Sequence, residues 1–171
     1  MKVRLANLSD ANGIALVHVD SWRTTYRNIL PDEFLMNLSY KRREHLWETN
    51  IPKGNVFVAE SDEGKIVGFA SGGKESSGKY NEYQGELSSI YILKEYQGQG
   101  IGKLLLNTVI KELEKVGTNT MLVLVLEDNN SRLFYEAMGG KKIDKVEVEI
   151  AGKKLIELVY GWDNIKNIFD K

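Results

Sequence analysis

The feature of this 171-residue chain that most restricts its fold is a change of pattern at its centre. Glu86 to Leu93 reads as a strand, Gln97 to Gly102 is glycine-rich, and Lys103 to Val116 carries leucine, valine and isoleucine at helical spacing. A strand that enters a helix through glycines leaves several backbone amides pointing outward, and the helix dipole adds partial positive charge there. Such a turn suits an anion, usually a phosphate. Gly98, Gly100 and Gly102 fit that role, because a side chain would block close approach of a pyrophosphate and would penalise positive φ. The same glycines also suit a plain tight connection, and by themselves they do not separate the two readings. A Walker A loop fails, since it needs glycine where Gln97 stands and serine or threonine where Leu104 stands. A dinucleotide fingerprint needs glycine at Lys103 and belongs to the first strand of a repeated parallel unit, whereas this strand comes mid-chain after a hairpin.

The flanking segments extend the pattern. Lys2 to Ala6 reads as a first strand, and Ile14, Val17, Trp22 and Tyr26 recur at roughly helical spacing up to a break at Pro31. Asp32 to Met36 and Tyr40 to Glu48 form a broken second helix, its later part capped by Ser39. Val56 to Glu60 and Lys65 to Ser71 are strands joined at Asp62-Glu63-Gly64, which suits a tight hairpin. The polar stretch Gly72 to Gly85 reads as a loop between strands. Met121 to Leu126 is apolar at every position, as expected of a central strand covered on both faces. Asn130 to Met138 then reads as a short helix, and Lys141 to Ile150 with Lys154 to Tyr160 closes the chain as a hairpin turning at Ala151-Gly152. The expected architecture is α/β (α+β): a single domain, 1–171, with a mixed central sheet of about six to seven strands and helices on both faces.

Composition narrows the chemistry. Lysine plus arginine (23) nearly balances aspartate plus glutamate (24), so no global field draws the chain to nucleic acid or an anionic membrane. No cysteine is present, which excludes disulfides, thiolate metal ligands and cysteine nucleophiles and is compatible with a reducing, cytoplasmic setting. The longest apolar run is far shorter than the about 20 residues a spanning helix needs, and Met1 to Asp10 does not read as a secretory signal. His18 and His45, the only histidines, lack metal-ligand spacing and point to structural or surface roles with no metal.

Gln97-Gly98-Gln99-Gly100-Ile101-Gly102 resembles the Gln/Arg-x-x-Gly-x-Gly/Ala motif of the GCN5-related N-acetyltransferase (GNAT) superfamily, in its bacterial small-molecule amine branch. Leu87 to Tyr96 and Asn129 to Gly139 are similar to that superfamily's preceding strand and downstream helix, so the resemblance spans nearly the whole chain. It implies the GNAT fold, acetyl-CoA as cosubstrate, and transfer of its acetyl group to a primary amine, with a polyamine, amino acid, antibiotic amine or protein N-terminus all open as acceptor. It implies that Gln97, Gly98, Gln99, Gly100, Ile101, Gly102 and Lys103 hold the pyrophosphate, and that Ile90, Tyr91 and Ile92 pair with the pantetheine arm as an extra strand. A homodimer is left open.

The resemblance also suggests the proton path. Glu86 lies eleven positions before Gln97, the spacing of the general base in histone-modifying relatives; the plainer reading is a solvated carboxylate. Tyr135 matches the tyrosine that protonates the departing thiolate in many relatives, against a reading as a packed ring. Where relatives often carry asparagine, seven positions before that tyrosine, this chain has Asp128, with Asn129 and Asn130 following; Asn129 either contacts the pantetheine or caps the helix. Phe134 is expected in the core. His18 to Arg27 resembles an acceptor-side segment of bacterial relatives, in which Trp22 and Tyr26 either pack the core or form an aromatic wall. Asp32, Glu33, Glu75 and Glu82 are acidic residues without an assigned part. No Gly-x-Ser-x-Gly elbow is present, which favours direct transfer over an acyl-enzyme. The competing class is a catalytically silent CoA-binding regulatory module of the same fold; a dinucleotide-binding domain stands third.

Overall fold

The computed structural model describes residues 1–170. Seven strands form one sheet in the order β1-β2-β3-β4-β5-β7-β6. They are β1 (Lys2–Leu5), β2 (Val56–Glu60), β3 (Ile66–Lys74), β4 (Gly85–Ile92), β5 (Met121–Leu126), β6 (Lys141–Ile150) and β7 (Lys153–Trp162). The helices are α1 (Ala11–Thr25), α2 (Asp32–Met36), α3 (Tyr40–Asn50), α4 (Ile101–Lys115) and α5 (Arg132–Ala137). All pairings are antiparallel except β4 with β5, which needs a crossover, supplied by α4. The mixed seven-stranded sheet expected from the sequence is present.

Helices cover both faces, as the alternation along β3 shows. A Cβ on Gly68 would meet Leu105, and one on Gly72 would meet Val109, both on α4. Between them Phe69 points the other way, its ring 5.6 Å from His18 of α1 and 5.0 Å from Trp47 of α3. Helix α4 buries Ile101, Leu105, Leu106, Val109, Ile110 and Leu113, one apolar stripe at i, i+4 and i+8 spacing. On the opposite face α3 starts at Ser39, whose side chain accepts a hydrogen bond from the Arg42 amide, the cap expected from the sequence.

Two boundaries and one burial pattern near the middle of the sheet differ from the sequence reading. Strand β3 runs on through Gly72, Gly73 and Lys74, so the polar loop is only 75–84; a bulge at Ser71/Gly72 keeps this end paired with β4. Glycine is required at 72 because a Cβ there would lie 2.6 Å from Val109 Cγ1 and 2.9 Å from the Glu86 carbonyl oxygen. Helix α4 begins at Ile101, two residues before the expected start. Strand β5 lies between β4 and β7 and is buried except at Leu124, which is 38% exposed, so its cover is incomplete on one face. The cause is local: β4 pairs with β5 only from Gly85 to Leu87, opposite Met121 to Val123.

Candidate active site

That short pairing creates the site. From Ser89 to Ile92, β4 stays paired with β3 on one side but has no partner on the β5 side. Where the strands part, a cavity of about 870 Å³ opens, lined by Ile90, Tyr91 and Ile92 on one wall and by residues 128–131, Phe134 and Tyr135 on the other. An unpaired strand edge at a cavity wall offers backbone donors and acceptors in a row, the arrangement that an extended, amide-bearing ligand matches.

The glycine turn closes one end. Gly98 and Gly100 adopt φ of +76° and +83°, so both need glycine for conformation. A Cβ at either would nevertheless meet nothing within 4 Å, so the backbone there is also open to approach. The turn geometry thus requires glycine and also leaves room for a ligand. The start of α4 has no side-chain cap at Gly100 and no acidic residue in its first turn, and it carries Lys103 instead. A helix start facing only water usually recruits serine or a carboxylate. This one keeps free amides and uncompensated positive charge beside the cavity.

Of the candidates in the turn, Gln97, Gly98, Gly100, Ile101, Gly102 and Lys103 line the cavity. Gln97 braces the turn, its Nε2 donating to the Ile92 carbonyl at 3.0 Å. Gln99 is not among the lining residues, and its amide donates back to the Glu95 carbonyl at 3.3 Å. Asp128, Asn129 and Asn130 all line the cavity. The Asn129 side chain also accepts a hydrogen bond from the Ser131 amide at 2.9 Å, so it combines the capping and lining positions. Phe134, expected in the core, borders the cavity as well, 3.5 Å from where a Gly102 Cβ would sit.

Tyr135 packs its ring against Tyr160 and Trp162, with centroids 6.4 and 6.3 Å away, and is 5% exposed. It lines the cavity, and its hydroxyl makes no hydrogen bond to any described residue. Burial, reinforced by Tyr91, pushes its pKa above the ordinary tyrosine value, so the phenol holds its proton at neutral pH.

Glu86 stands apart from this cavity, at the paired end of β4 opposite Leu122. It is half-buried; burial raises its pKa, and the charge of Glu75 adds to the rise. A second half-buried carboxylate, Glu157 on β7, is raised by burial and adds its field at Glu86 and Tyr91. Register places Glu86, Leu124 and Glu157 on one face. Leu122, beside Glu86, packs with Val159 and Tyr83, and Leu126 packs with Leu155 and Tyr26. Leu124 lies between Leu122 and Leu126, and Glu157 lies between Leu155 and Val159. Glu157 escaped sequence reasoning because a glutamate in a terminal hairpin strand carries no signal of its own.

On this same face Tyr91 stacks on His18 at 5.8 Å, and its hydroxyl lies 3.1 Å from that of Tyr26. Trp22 and Tyr26 meet edge to face at 4.8 Å, Tyr26 within a buried cluster that includes Leu30 and Leu35. His18 accepts a hydrogen bond from Trp47 Nε1 at 3.1 Å, and burial, with Arg43 nearby, lowers its pKa to about 4. His18 is thus a neutral packing residue, while exposed His45 pairs with Glu48. Glu75 ties its loop together through the Ser77 and Gly78 amides. No group of three or more His, Asp or Glu among the described residues is placed to hold a metal ion, and no helix among them is long and apolar enough to cross a membrane.

A sheet opened between two parallel strands, beside a helix start led by glycine, is suited to an extended ligand that carries an anionic group. Residues 19–139 match the family model described as the Acetyltransferase (GNAT) family; the chain belongs to that family and is an N-acetyltransferase. It is 44% identical over 163 residues, 95% of this chain and 93% of the other, to the uncharacterized N-acetyltransferase YuaI of Bacillus subtilis. Over a shorter stretch of 58 residues, 34% of this chain and 40% of the relative, it is 43% identical to the [ribosomal protein bS18]-alanine N-acetyltransferase of Haemophilus influenzae. Its fold is similar to that of PaiA N-acetyltransferase from Thermoplasma acidophilum, solved in complex with coenzyme A, with a TM-score of 0.69, 20% identity, and coverage of 92% of this chain and 96% of that one.

Proposed function

We propose that this protein transfers the acetyl group of acetyl-CoA directly to the primary amine of a small cationic acceptor in the cytoplasm. The observation that carries the donor half is the unpaired edge of β4 leading into the open, uncapped start of α4. In this reading the amides from Gly98 to Lys103 hold the diphosphate, Ile90 to Ile92 pair with the pantetheine amides, and Asn129 borders the same arm. Gln97 acts through the turn, bracing it against Ile92, and Gln99 likewise contributes backbone.

The acceptor half rests on the α1 face of the sheet. Glu86 and Glu157 are half-buried there, neither is ion-paired with a described residue, and Leu124 between them is open to solvent. An ammonium group is drawn to such carboxylates, and its nitrogen becomes nucleophilic only after losing a proton. Glu86 takes that proton. The freed lone pair attacks the thioester carbonyl carbon, the C–S bond breaks as Tyr135 donates its hydroxyl proton to the leaving thiolate, and the second proton released from the acylated nitrogen passes through solvent to restore the phenol. The unbonded hydroxyl of Tyr135 at the cavity wall supports this role and argues against a silent CoA-binding module.

A second acceptor, the α-amine of a protein chain, is favoured by the stretch shared with the ribosomal-protein acetyltransferase. One experiment tests both. Free-thiol release from acetyl-CoA is measured against polyamines, amino acids, aminoglycoside amines and peptides with free N-termini. Release that depends on a small cationic amine supports the proposal. Release confined to peptides replaces the acceptor, and CoA binding without release to any amine sinks the enzymatic reading.

A further inference from the structure

The cavity that holds the glycine turn is also lined by a cation that the donor site described above does not use. Arg27 lies in the connection between α1 and α2 and lines the same cavity as Gly98, Gly100, Gly102 and Lys103. It is exposed and makes no hydrogen bond or ion pair with any described residue. Three of the other five arginines are engaged, none of them in this cavity: Arg4 is held by Asp10 and Glu60, Arg23 by three backbone carbonyls, and Arg132 by Glu136. Asp128, the one carboxylate among the cavity-lining residues, is not within ion-pair distance of Arg27.

The backbone beneath this free guanidinium is firmly held. Asn28 adopts φ of +66°, a left-handed conformation that asparagine tolerates, and so turns the chain back at the end of α1. The Ile29 and Leu30 amides both donate to the Tyr26 carbonyl, at 3.0 and 2.9 Å. Tyr26 and Leu30 are buried, and Lys153 at the tip of the β6–β7 hairpin donates to the Ile29 carbonyl at 2.6 Å. A fixed stem with an unengaged planar fork of donors suits a phosphate, which guanidinium binds in bidentate fashion.

We infer that Arg27 is a positioning residue for the cosubstrate, gripping its diphosphate together with the glycine turn. This rests on the donor-site reading above. The turn supplies short-range backbone donors, and Arg27 supplies a full charge.

Isothermal titration of the whole protein and of Arg27→Ala and Arg27→Lys with CoA, dephospho-CoA and pantetheine tests this, with thermal melts to confirm folding. Arg27→Ala is expected to weaken CoA and dephospho-CoA alike by about tenfold, the scale of one charge-assisted hydrogen bond. Pantetheine, which lacks the diphosphate, should bind both forms equally, and Arg27→Lys should recover part of the loss. KM for acetyl-CoA should rise by a similar factor, with a smaller effect on kcat. Unchanged CoA affinity in Arg27→Ala overturns the inference, as does a loss seen with CoA but absent with dephospho-CoA, which moves the contact to the 3′-phosphate. Failure of the donor site itself is recognised separately: the unaltered protein would then not bind CoA, and Gly100→Val would change nothing.

Discussion

The two ends of β4 are built from similar residues and behave in opposite ways. At Gly85 to Leu87 the strand is paired on both sides, to β3 and to β5, and Leu87 is 1% exposed. From Ser89 to Ile92 it is paired on one side only, and Ile90 to Ile92 face a cavity. The first end is a piece of core and the second an open edge. A single divergence of β5 makes the difference, so the candidate site comes from a pairing that the fold withholds.

That contrast predicts a double dissociation. At the open end, Gly100→Val sets a branched side chain at φ +83° and covers the amides; it should weaken CoA binding of the folded protein more than 100-fold by calorimetry, with a lower melting temperature from the strained turn. Tyr135→Phe should lower kcat about 100-fold, in the range of a lost general acid, with CoA affinity preserved. If its turnover stays intact across pH, the acid is another group. At the closed end the effects reverse: Leu87→Ala should cost about 3 kcal/mol in denaturant unfolding, through a cavity in the core, and leave CoA affinity nearly unchanged in the folded fraction. A comparable loss of CoA affinity there would show that the two ends are not separate.

Glu86 sits at the closed end yet is assigned to chemistry, so it tests the boundary. A base must be ionised, and burial together with Glu75 raises its pKa, so it takes up a proton at a higher pH than an ordinary carboxylate. In kcat/KM profiles, activity should fall as pH decreases through that raised value. Glu86→Gln should lower kcat/KM about tenfold and remove this limb. A profile identical to that of the unaltered protein would reduce Glu86 to a neighbour of the paired strand.

Much of this was legible in the chain. The strand, glycine turn and helix from Glu86 to Val116 announced themselves because the side-chain period changes there from two to 3.6 around residues that only special backbone angles require. The motif singled out Tyr135 and the turn residues, and all of these except Gln99 line the cavity. The end of β3 was missed because Gly72 and Gly73 look like a loop, whereas glycine at 72 serves the close packing of α4. The uncovered position at Leu124 was missed for a related reason: in an unbroken apolar run, nothing marks the residue where the neighbouring strand departs.

The sequence by itself determined the elements and the glycine-led turn into α4, because backbone conformation and periodicity are local properties. Only the tertiary structure decided which edge of β4 stays unpaired, that Glu157 shares a face with Glu86, and that Arg27 lines the same cavity as glycines more than seventy positions later. Those are relations between distant segments, set by register, sheet order and the divergence of two strands, and no local pattern encodes them.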